Sequence, residues 1–330
     1  APGSPAGRVV LMGQILVDLA VRGTALPEPG VDVWATDEGA HVGGGFNALV
    51  AARRMGAEAV SLSPTGEGRN ASLIREALAR EGITDAGPRA EGVDNGFCVA
   101  FTDATGERSF ISTRGAETMA PASAWADFAR TMTRRDVLYI DGYLMDHPAN
   151  REAAEAALRV LPDGVRVVLD VSPVIGIPDG LPTDGVIVSM NHAEALALRN
   201  SLTHDRSFLE QCRLPRGAAR AMLSLLRRPV VVRAGAEGAY VGEPAGPSTE
   251  EVVSHIPTPV VDAVDTNGAG DAHSGVLAAS LALGIPLDRS LLLANCAGAL
   301  STMVVGPASC PTRSRIEAAA DALAADTAAE

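Results

Sequence analysis

Segment 265–271 of this chain reads Asp-Thr-Asn-Gly-Ala-Gly-Asp, and an apolar helical pattern follows it from 272 to 283. A glycine-rich turn that opens a helix leaves unpaired backbone N–H groups that point outward at the positive end of the helix dipole. This arrangement favours phosphate binding. The charge of Asp271 would repel that phosphate, so the residue makes chemical sense as a base that takes a proton from a hydroxyl group. The segment therefore predicts phosphoryl transfer to an alcohol. The N–H groups expected to stabilise the transferred group are those of Gly268, Ala269 and Gly270.

A second glycine-rich segment, 43–47, reads Gly-Gly-Gly-Phe-Asn. Glycines allow the backbone to approach a bound polyol closely, and the amide of Asn47 offers both a donor and an acceptor to neighbouring hydroxyl groups. The two segments resemble the two signatures of the ribokinase-like (PfkB) carbohydrate and nucleoside kinases. The resemblance covers 8–325, with a departure at Leu49, where the family usually has a small residue.

The resemblance implies an enzyme that transfers the γ-phosphoryl group of ATP to a hydroxyl or hydroxymethyl group of a small carbohydrate, with Asp271 as general base. The residues that it places at the sugar are Asp18, Gly44, Gly45 and Asn47. A nucleoside is the alternative acceptor, because a base could rest on an aromatic shelf. The aromatic residues available for that shelf are Phe97, Phe101, Phe110 and Tyr143.

The resemblance also implies a nucleotide site supported by Mg²⁺. Asn191 and Glu194 match an Asn-x-x-Glu motif whose carboxylate supports a hydrated Mg²⁺ and the nucleotide phosphates, although the same pair is typical of an ordinary helix cap. Gly235 and Gly238 match the glycines of a Thr-x-Gly-x-x-Gly nucleotide segment. Arg233 replaces the threonine, so a guanidinium could serve a phosphate there in place of the hydroxyl group.

Three further residues near the C-terminal signature are interpreted through the same resemblance. Asp265 is expected to help bind a monovalent cation, usually K⁺, with carbonyl groups near Gly306 completing the site; a structural helix cap is the alternative. Asn295 lies in the helical region that flanks the adenine in the family. His273 stands where relatives often have a bulky residue, and we interpret it as a packed or exposed helix residue.

The remaining pattern predicts an α/β fold. Apolar runs predict strands at 8–13, 59–63, 137–140, 165–169, 186–188 and 230–233, and helical periodicity predicts helices at 46–55 and 71–80 and two buried helices within 275–306. Such alternation indicates a mostly parallel sheet with helices on both faces. Two hairpin-like segments, 20–38 and 97–113, stand outside the alternation. By resemblance they form a small β-sheet lid over the sugar, and dimerisation through that lid is expected.

Composition excludes several classes of protein. The 330 residues include no lysine, so a Walker A phosphate loop is impossible. A formal net charge of −13 argues against nucleic-acid and anionic-membrane partners. The four cysteines lack metal-type spacing and are expected to be reduced thiols. Residues 1–7 are small and proline-rich and are expected to be disordered, and the expected location is the cytoplasm.

Two other functions compete with the kinase. Segment 66–71, Gly-Glu-Gly-Arg-Asn-Ala, fits the Gly-x-Gly-x-x-Ala turn of a dinucleotide oxidoreductase, but the acidic residue at the end of a second strand about twenty positions later is missing. A non-catalytic carbohydrate-binding relative is the other alternative. Loss of Asp271, or of the turn 268–270 that is expected to bind an anion, would indicate such a relative. Asp271 and this anion-binding turn are both intact.

Overall fold

Two β-sheets organise the chain, whose computed structural model describes residues 7–245 and 251–329. The strands within these ranges, in chain order, are β1 (Arg8–Met12), β2 (Ile15–Arg22), β3 (Thr36–Gly44), β4 (Glu58–Ser61), β5 (Thr84–Asp85), β6 (Phe97–Thr102), β7 (Arg108–Ser112), β8 (Val137–Asp141), β9 (Arg166–Asp170), β10 (Val186–Asn191), β11 (Val230–Arg233), β12 (Ala239–Glu243) and β13 (Val252–Ile256).

Ten α-helices accompany them in the described ranges: α1 (Phe46–Met55), α2 (Arg69–Arg80), α3 (Ala122–Ala129), α4 (Pro148–Leu158), α5 (His192–Leu202), α6 (Arg206–Gln211), α7 (Pro215–Leu226), α8 (Ala269–Ala282), α9 (Leu287–Ser301) and α10 (Arg313–Ala329). Three short 3₁₀ turns lie at Ala116–Thr118, Gly142–Asp146 and Gly235–Glu237. No helix in the described ranges combines the length and apolar character needed to cross a bilayer.

The large sheet has nine strands in the order β13-β12-β11-β10-β9-β8-β1-β4-β5. The seven strands β11, β10, β9, β8, β1, β4 and β5 pair in parallel. Strands β12 and β13 add an antiparallel edge next to β11. Since the chain winds away from β1 in both directions, the crevice at the carboxyl ends of β1 and β8 is where an open α/β sheet binds ligands. The predicted parallel α/β fold is confirmed. The predicted strands and the helices predicted at 46–55 and 71–80 are present within three residues of their expected ends, whereas α8 begins at Ala269, ahead of the predicted range 275–306.

The small sheet has four strands in the order β3-β2-β6-β7. Its hairpins β2–β3 and β6–β7 are antiparallel, and β2 pairs with β6 in parallel. Strands β6 and β7 lie within the segment 97–113 that the sequence predicts to stand outside the main alternation. Strands β2 and β3 overlap the predicted segment 20–38 only at its two ends, because 23–35 is the connection between them. The edge strand β13 and its neighbour β12 were not predicted, because a short run such as Val-Val-Ser-His-Ile resembles a loop in sequence.

The chain passes between the two sheets next to the start of α1. Gly44 has φ +67°, and a Cβ atom there would lie 2.4 Å from the carbonyl oxygen of Gln14. Only glycine permits this crossing of β3 over the exit of β1. The crossing places the first turn of α1 directly above the carboxyl end of β1.

Helices α1 and α8 pack against each other on one face of the large sheet. A Cβ atom on Gly275 would lie 2.3 Å from the carbonyl oxygen of Ala48, so the two helices approach each other at backbone distance. This contact brings the N-terminal turns of both helices together. It therefore joins the two glycine-rich segments, whose sequence positions are far apart.

Candidate active site

Asn47 and Asp271 meet where α1 and α8 begin. The Nδ2 atom of Asn47 donates a hydrogen bond of 2.9 Å to Oδ2 of Asp271. Burial raises the pKa of Asp271 to about 7, and the nearby carboxylates of Asp170 and Asp18 also raise it, while Asn47 and Arg233 oppose the shift. A carboxylate with a pKa near neutrality is suited to general base catalysis at physiological pH.

Two further carboxylates lie under the glycine-rich segment. A Cβ atom on Gly43 would lie 2.0 Å from Oδ2 of Asp18, and one on Gly13 would lie 2.3 Å from Oδ2 of Asp141. Burial raises the pKa of Asp18 to about 6 and that of Asp141 to about 7. Because Gly43 and Gly13 lack side chains, Asp18 and Asp141 have room near Asp271. Three carboxylates thus surround one space.

Two acceptor atoms at this site have no partner in the described part of the chain. They are Oδ1 of Asn47 and Oδ2 of Asp141, and both are buried. A buried polar atom without a hydrogen bond is costly, so its presence in a folded protein calls for an explanation such as a ligand. Acceptors that lack donors are matched by hydroxyl groups, which supply an O–H.

The anion-binding turn has the predicted geometry at the start of α8. Gly268 has φ +75° and precedes the helix, while no acceptor in the described residues receives the N–H of Gly268, Gly270 or Asp271. The N–H of Ala269 differs from the prediction, since it donates at 3.3 Å to the carbonyl of Thr266. The free N–H donors of this turn are therefore those of Gly268, Gly270 and Asp271, so Asp271 takes the place of Ala269.

Arg233 lies beneath the anion-binding turn in a buried polar network. Its guanidinium donates to both carboxylate oxygens of Asp170 at 2.7 and 3.3 Å, and to the hydroxyl of Ser274 at 3.0 Å. The guanidinium carbon lies 3.5 Å from where a Cβ atom on Gly270 would be. Arg233 therefore brings its positive charge to the turn while its hydrogen bonds are directed at Asp170.

The Asn-x-x-Glu pair forms a capping box at the start of α5. The side chain of Asn191 accepts from the N–H of Glu194 at 2.9 Å, and the carboxylate of Glu194 accepts from the N–H of Asn191 at 2.6 Å. The same Glu194 oxygen lies 3.3 Å from Arg233. The helix-cap alternative thus describes the local structure, and the carboxylate still faces the network at the carboxyl ends of the strands.

The predicted nucleotide residues Gly235 and Gly238 follow β11, and their surroundings differ. Gly235 is exposed with φ +59°, and a Cβ atom there would meet nothing within 4 Å. Gly238 is buried, and a Cβ atom there would lie 2.2 Å from the carbonyl oxygen of Ile256. The amide of Asn295 donates to the carbonyls of Ile256 and Pro257 at 2.9 and 3.0 Å. Gly238 and Asn295 therefore hold the strand β13 and the loop after it in place.

Asp265 is held by three donors. Its Oδ1 atom accepts from Arg108 of β7 at 2.5 Å and from the N–H of Asn267 at 2.9 Å, and its Oδ2 atom accepts from the N–H of Gly306 at 3.0 Å. Burial alone would raise the pKa of Asp265, but these partners hold it below its usual range. Asp265 thus meets the N–H of Gly306, whereas the expected cation site would use carbonyl groups near Gly306.

His273 is 3% exposed and lies between α8 and α9. Burial lowers its pKa to about 3, and the charge of Arg233 lowers it further. The imidazole is therefore neutral at physiological pH. This placement agrees with the interpretation as a packed helix residue.

The segment 66–71 is not a pyrophosphate site. Both oxygens of Asp94 accept from the N-terminal N–H groups of α2, at Asn70 and Ala71, with distances of 3.0 and 2.8 Å. A carboxylate thus fills the place that a pyrophosphate would need. The segment is a capped helix start, which removes the argument for a dinucleotide oxidoreductase.

Sequence reasoning did not single out Asp170 or Arg108. Asp141 and Asp170 end neighbouring parallel strands and are paired in register. Acidic residues directly after apolar strand runs were the signal for both. Arg108 gives no such signal, because its partner lies 157 positions away.

Comparison with known proteins agrees with this geometry. The model of the pfkB family carbohydrate kinases matches residues 7–314. An uncharacterized sugar kinase of Escherichia coli K12, YegV, is 34% identical over 306 residues, covering 90% of this chain and 88% of that protein. Mouse ribokinase is 28% identical over 318 residues, covering 92% of this chain and 93% of its own.

Among solved structures, Arabidopsis thaliana ribokinase complexed with ribose and ATP has the same fold, with a TM-score of 0.75 and 22% identity. The likeness covers 96% of this chain and 99% of that one. The expected ribokinase-like fold is confirmed. The chain belongs to the pfkB family of carbohydrate kinases, and it is accordingly a phosphotransferase whose acceptor is a hydroxyl group.

Proposed function

We propose that this sugar kinase transfers the γ-phosphoryl group of ATP to a hydroxymethyl or hydroxyl group of a small carbohydrate, with Asp271 as general base. The observation that carries the proposal is the pair of unpartnered buried acceptors, Asn47 Oδ1 and Asp141 Oδ2, beside Asp271. A polyhydroxylated molecule supplies several O–H donors at once, so it satisfies both acceptors and still offers one hydroxyl to the base.

The proposed reaction balances with the groups present. Asp271 takes the proton of the acceptor hydroxyl as its oxygen forms a bond to the γ-phosphorus of ATP, and the bond from that phosphorus to the β,γ-bridging oxygen breaks to leave ADP. The N–H groups of Gly268, Gly270 and Asp271 point to where negative charge lies on the transferred group. Arg233 supports the same charge from beneath the turn.

The residues present fit ATP and Mg²⁺. The exposed Gly235 leaves open space beside the turn for a nucleotide, and the unpaired N–H groups of the turn suit a phosphate. The side chain of Glu194 is 15% exposed, so its carboxylate is within reach of water on a metal ion. Mg²⁺ keeps several waters and binds phosphate oxygens, so one nearby carboxylate suffices to support it. Such an ion would neutralise phosphate charge.

We further propose that residues 8–325 act as one kinase domain, with the small sheet as a lid over the acceptor. A lid would exclude water and so limit hydrolysis of ATP. Large apolar side chains are exposed on this sheet and on its β2–β3 connection: Trp34, Phe110 and Ile111 are 94%, 60% and 66% exposed. Large apolar side chains of this exposure favour association, so a second copy of this chain is the proposed partner.

A nucleoside remains the second candidate acceptor because of Tyr143. The residue is 46% exposed. Burial raises its pKa to about 12, and the charges of Asp141, Asp271 and Asp18 add to that rise. The ring therefore lies beside the carboxylates and could stack on a base. Phe101 is 8% exposed and cannot serve that shelf.

The test is ADP release from MgATP with purified protein across pentoses, hexoses, keto-sugars and nucleosides, with Asp271→Ala as the control. Strong turnover with one sugar, abolished in the variant, supports the proposal. Turnover with nucleosides alone moves the protein to the second candidate. Silence across the panel together with no measurable ATP binding contradicts the kinase assignment of this site.

A further inference from the structure

The residues around Asp265 offer little to a monovalent cation. Such an ion needs free oxygen lone pairs, yet Oδ1 of Asp265 accepts from Arg108 and Asn267 and Oδ2 accepts from Gly306, so about one of its four lone-pair sites is left. The carbonyl oxygen of Thr302, in the same loop, accepts from the N–H groups of Val264 and Asp265 at 2.7 and 2.9 Å. An added cation would also lie beside a guanidinium of like charge.

Arg108 already supplies one positive charge at this point. Its Nη2 atom lies 2.5 Å from Oδ1 of Asp265, and the side chains of Arg108 and Asp265 are 27% and 10% exposed. A charged pair with this degree of burial is screened less by salt than a surface pair.

The pair connects the lid to the anion-binding turn. Arg108 is the first residue of β7 in the small sheet, and Asp265 accepts from the N–H of Asn267, the residue before Gly268. Its other oxygen holds the N–H of Gly306, next to Pro307, whose carbonyl oxygen packs against Gly268. A group that neutralises the charge of Asp265 therefore also orders the residues on both sides of the anion-binding turn.

We propose that Arg108 takes the place of a monovalent cation at Asp265, so that the lid hairpin orders the anion-binding turn and catalysis needs no K⁺. Arg108 is in this sense a positioning residue that acts through Asp265. The inference rests on the proposed phosphoryl transfer for its kinetic readout. It departs from the expectation, drawn from resemblance, that Asp265 binds K⁺.

The experiment measures turnover and thermal unfolding in K⁺ and in tetramethylammonium chloride at equal ionic strength, for wild-type protein, Arg108→Ala and Arg108→Lys. Wild-type turnover is expected to differ by less than about twofold between the salts. The turnover of Arg108→Ala is expected to fall at least about tenfold, because a charge-assisted hydrogen bond is lost. K⁺ should then restore much of that loss and raise the unfolding temperature of this variant alone.

Arg108→Lys, which keeps a charge, should stay independent of K⁺. Arg114→Ala is the matched control, because Arg114 forms an exposed ion pair with Asp146 just after β7; it should behave as wild type. Strong K⁺ activation of the wild-type protein would overturn the inference, as would an Arg108→Ala variant with full activity. If no acceptor is phosphorylated at all, the proposed function fails, and the K⁺-dependent unfolding temperatures still decide the role of Arg108.

Discussion

The side chain of Asn47 donates a 2.9 Å hydrogen bond to Asp271, although the two residues lie 224 positions apart in the chain. The bond joins the glycine-rich segment of α1 to the anion-binding turn of α8. It orients the carboxylate and leaves Oδ1 of Asn47 as a buried acceptor. A substrate hydroxyl that donates to this acceptor would therefore lie beside the proposed base.

Replacing Asp271 with Asn should abolish most activity while preserving the hydrogen bond from Asn47. Loss of a general base costs at least about 10²-fold in kcat. Steady-state kinetics with the best acceptor would measure this. Asp127→Asn, at a highly exposed position on α3, is the matched control and should retain full activity. An Asp271→Asn enzyme of near wild-type kcat would remove Asp271 from the mechanism.

The same variant should be more stable than wild type above neutral pH. Burial raises the pKa of Asp271 from 3.8 to about 7, so the folded state holds this proton more tightly than the unfolded state. The stabilisation from Asp271 is then present in full below about pH 4 and declines as pH rises through 7. Urea unfolding at pH 5 and pH 8 should show that Asp271→Asn is more stable than wild type at both pH values, and that its advantage is larger at pH 8 than at pH 5 by on the order of a few kcal/mol.

The pH dependence of kcat/KM should report the ionisation of the base. Activity should rise with pH through a midpoint near 7, the pKa to which burial raises Asp271. The charge of Asp18 also raises that pKa, so Asp18→Asn should shift the midpoint downward. Acceptor binding weakens in this variant as well, so the midpoint is read from full profiles. A flat profile between pH 5 and 9 would contradict the role of a titrating carboxylate.

Asn47→Ala should raise KM for the acceptor about three- to tenfold, the effect of one lost hydrogen bond. It should also move the kcat/KM midpoint upward, because the hydrogen bond from Asn47 lowers the pKa of Asp271. The KM for ATP should change little. A loss confined to ATP binding would place Asn47 outside the acceptor site.

Association through the lid depends on its exposed apolar side chains. Trp34→Asp should shift the protein toward the monomer in light scattering, because a charge there would be buried unpaired in the interface. Leu26→Asp, at a half-exposed position in the same β2–β3 connection, tests whether the effect extends across the connection. Wild-type protein that is monomeric at micromolar concentration would contradict the proposed dimer.

The sequence by itself determined the elements and the chemical class. Apolar runs followed by turns specify parallel strands because both faces of those strands are buried, and Gly-Ala-Gly before Asp271 specifies a helix start that binds anions. Local patterns of this kind depend on neighbours in the chain, so they can be read in one dimension. The capping box of Asn191 and Glu194 was visible for the same reason.

Only the tertiary structure decided how distant side chains share their charges. The raised pKa of Asp271 results from burial between elements, and the guanidinium of Arg233 is directed at Asp170 rather than left free for a phosphate. Oδ1 of Asp265 accepts from Arg108, which lies on a strand of the other sheet. These pairings depend on how α1, α8 and the small sheet pack, because electrostatic partners are set by distance in space and not by position along the chain.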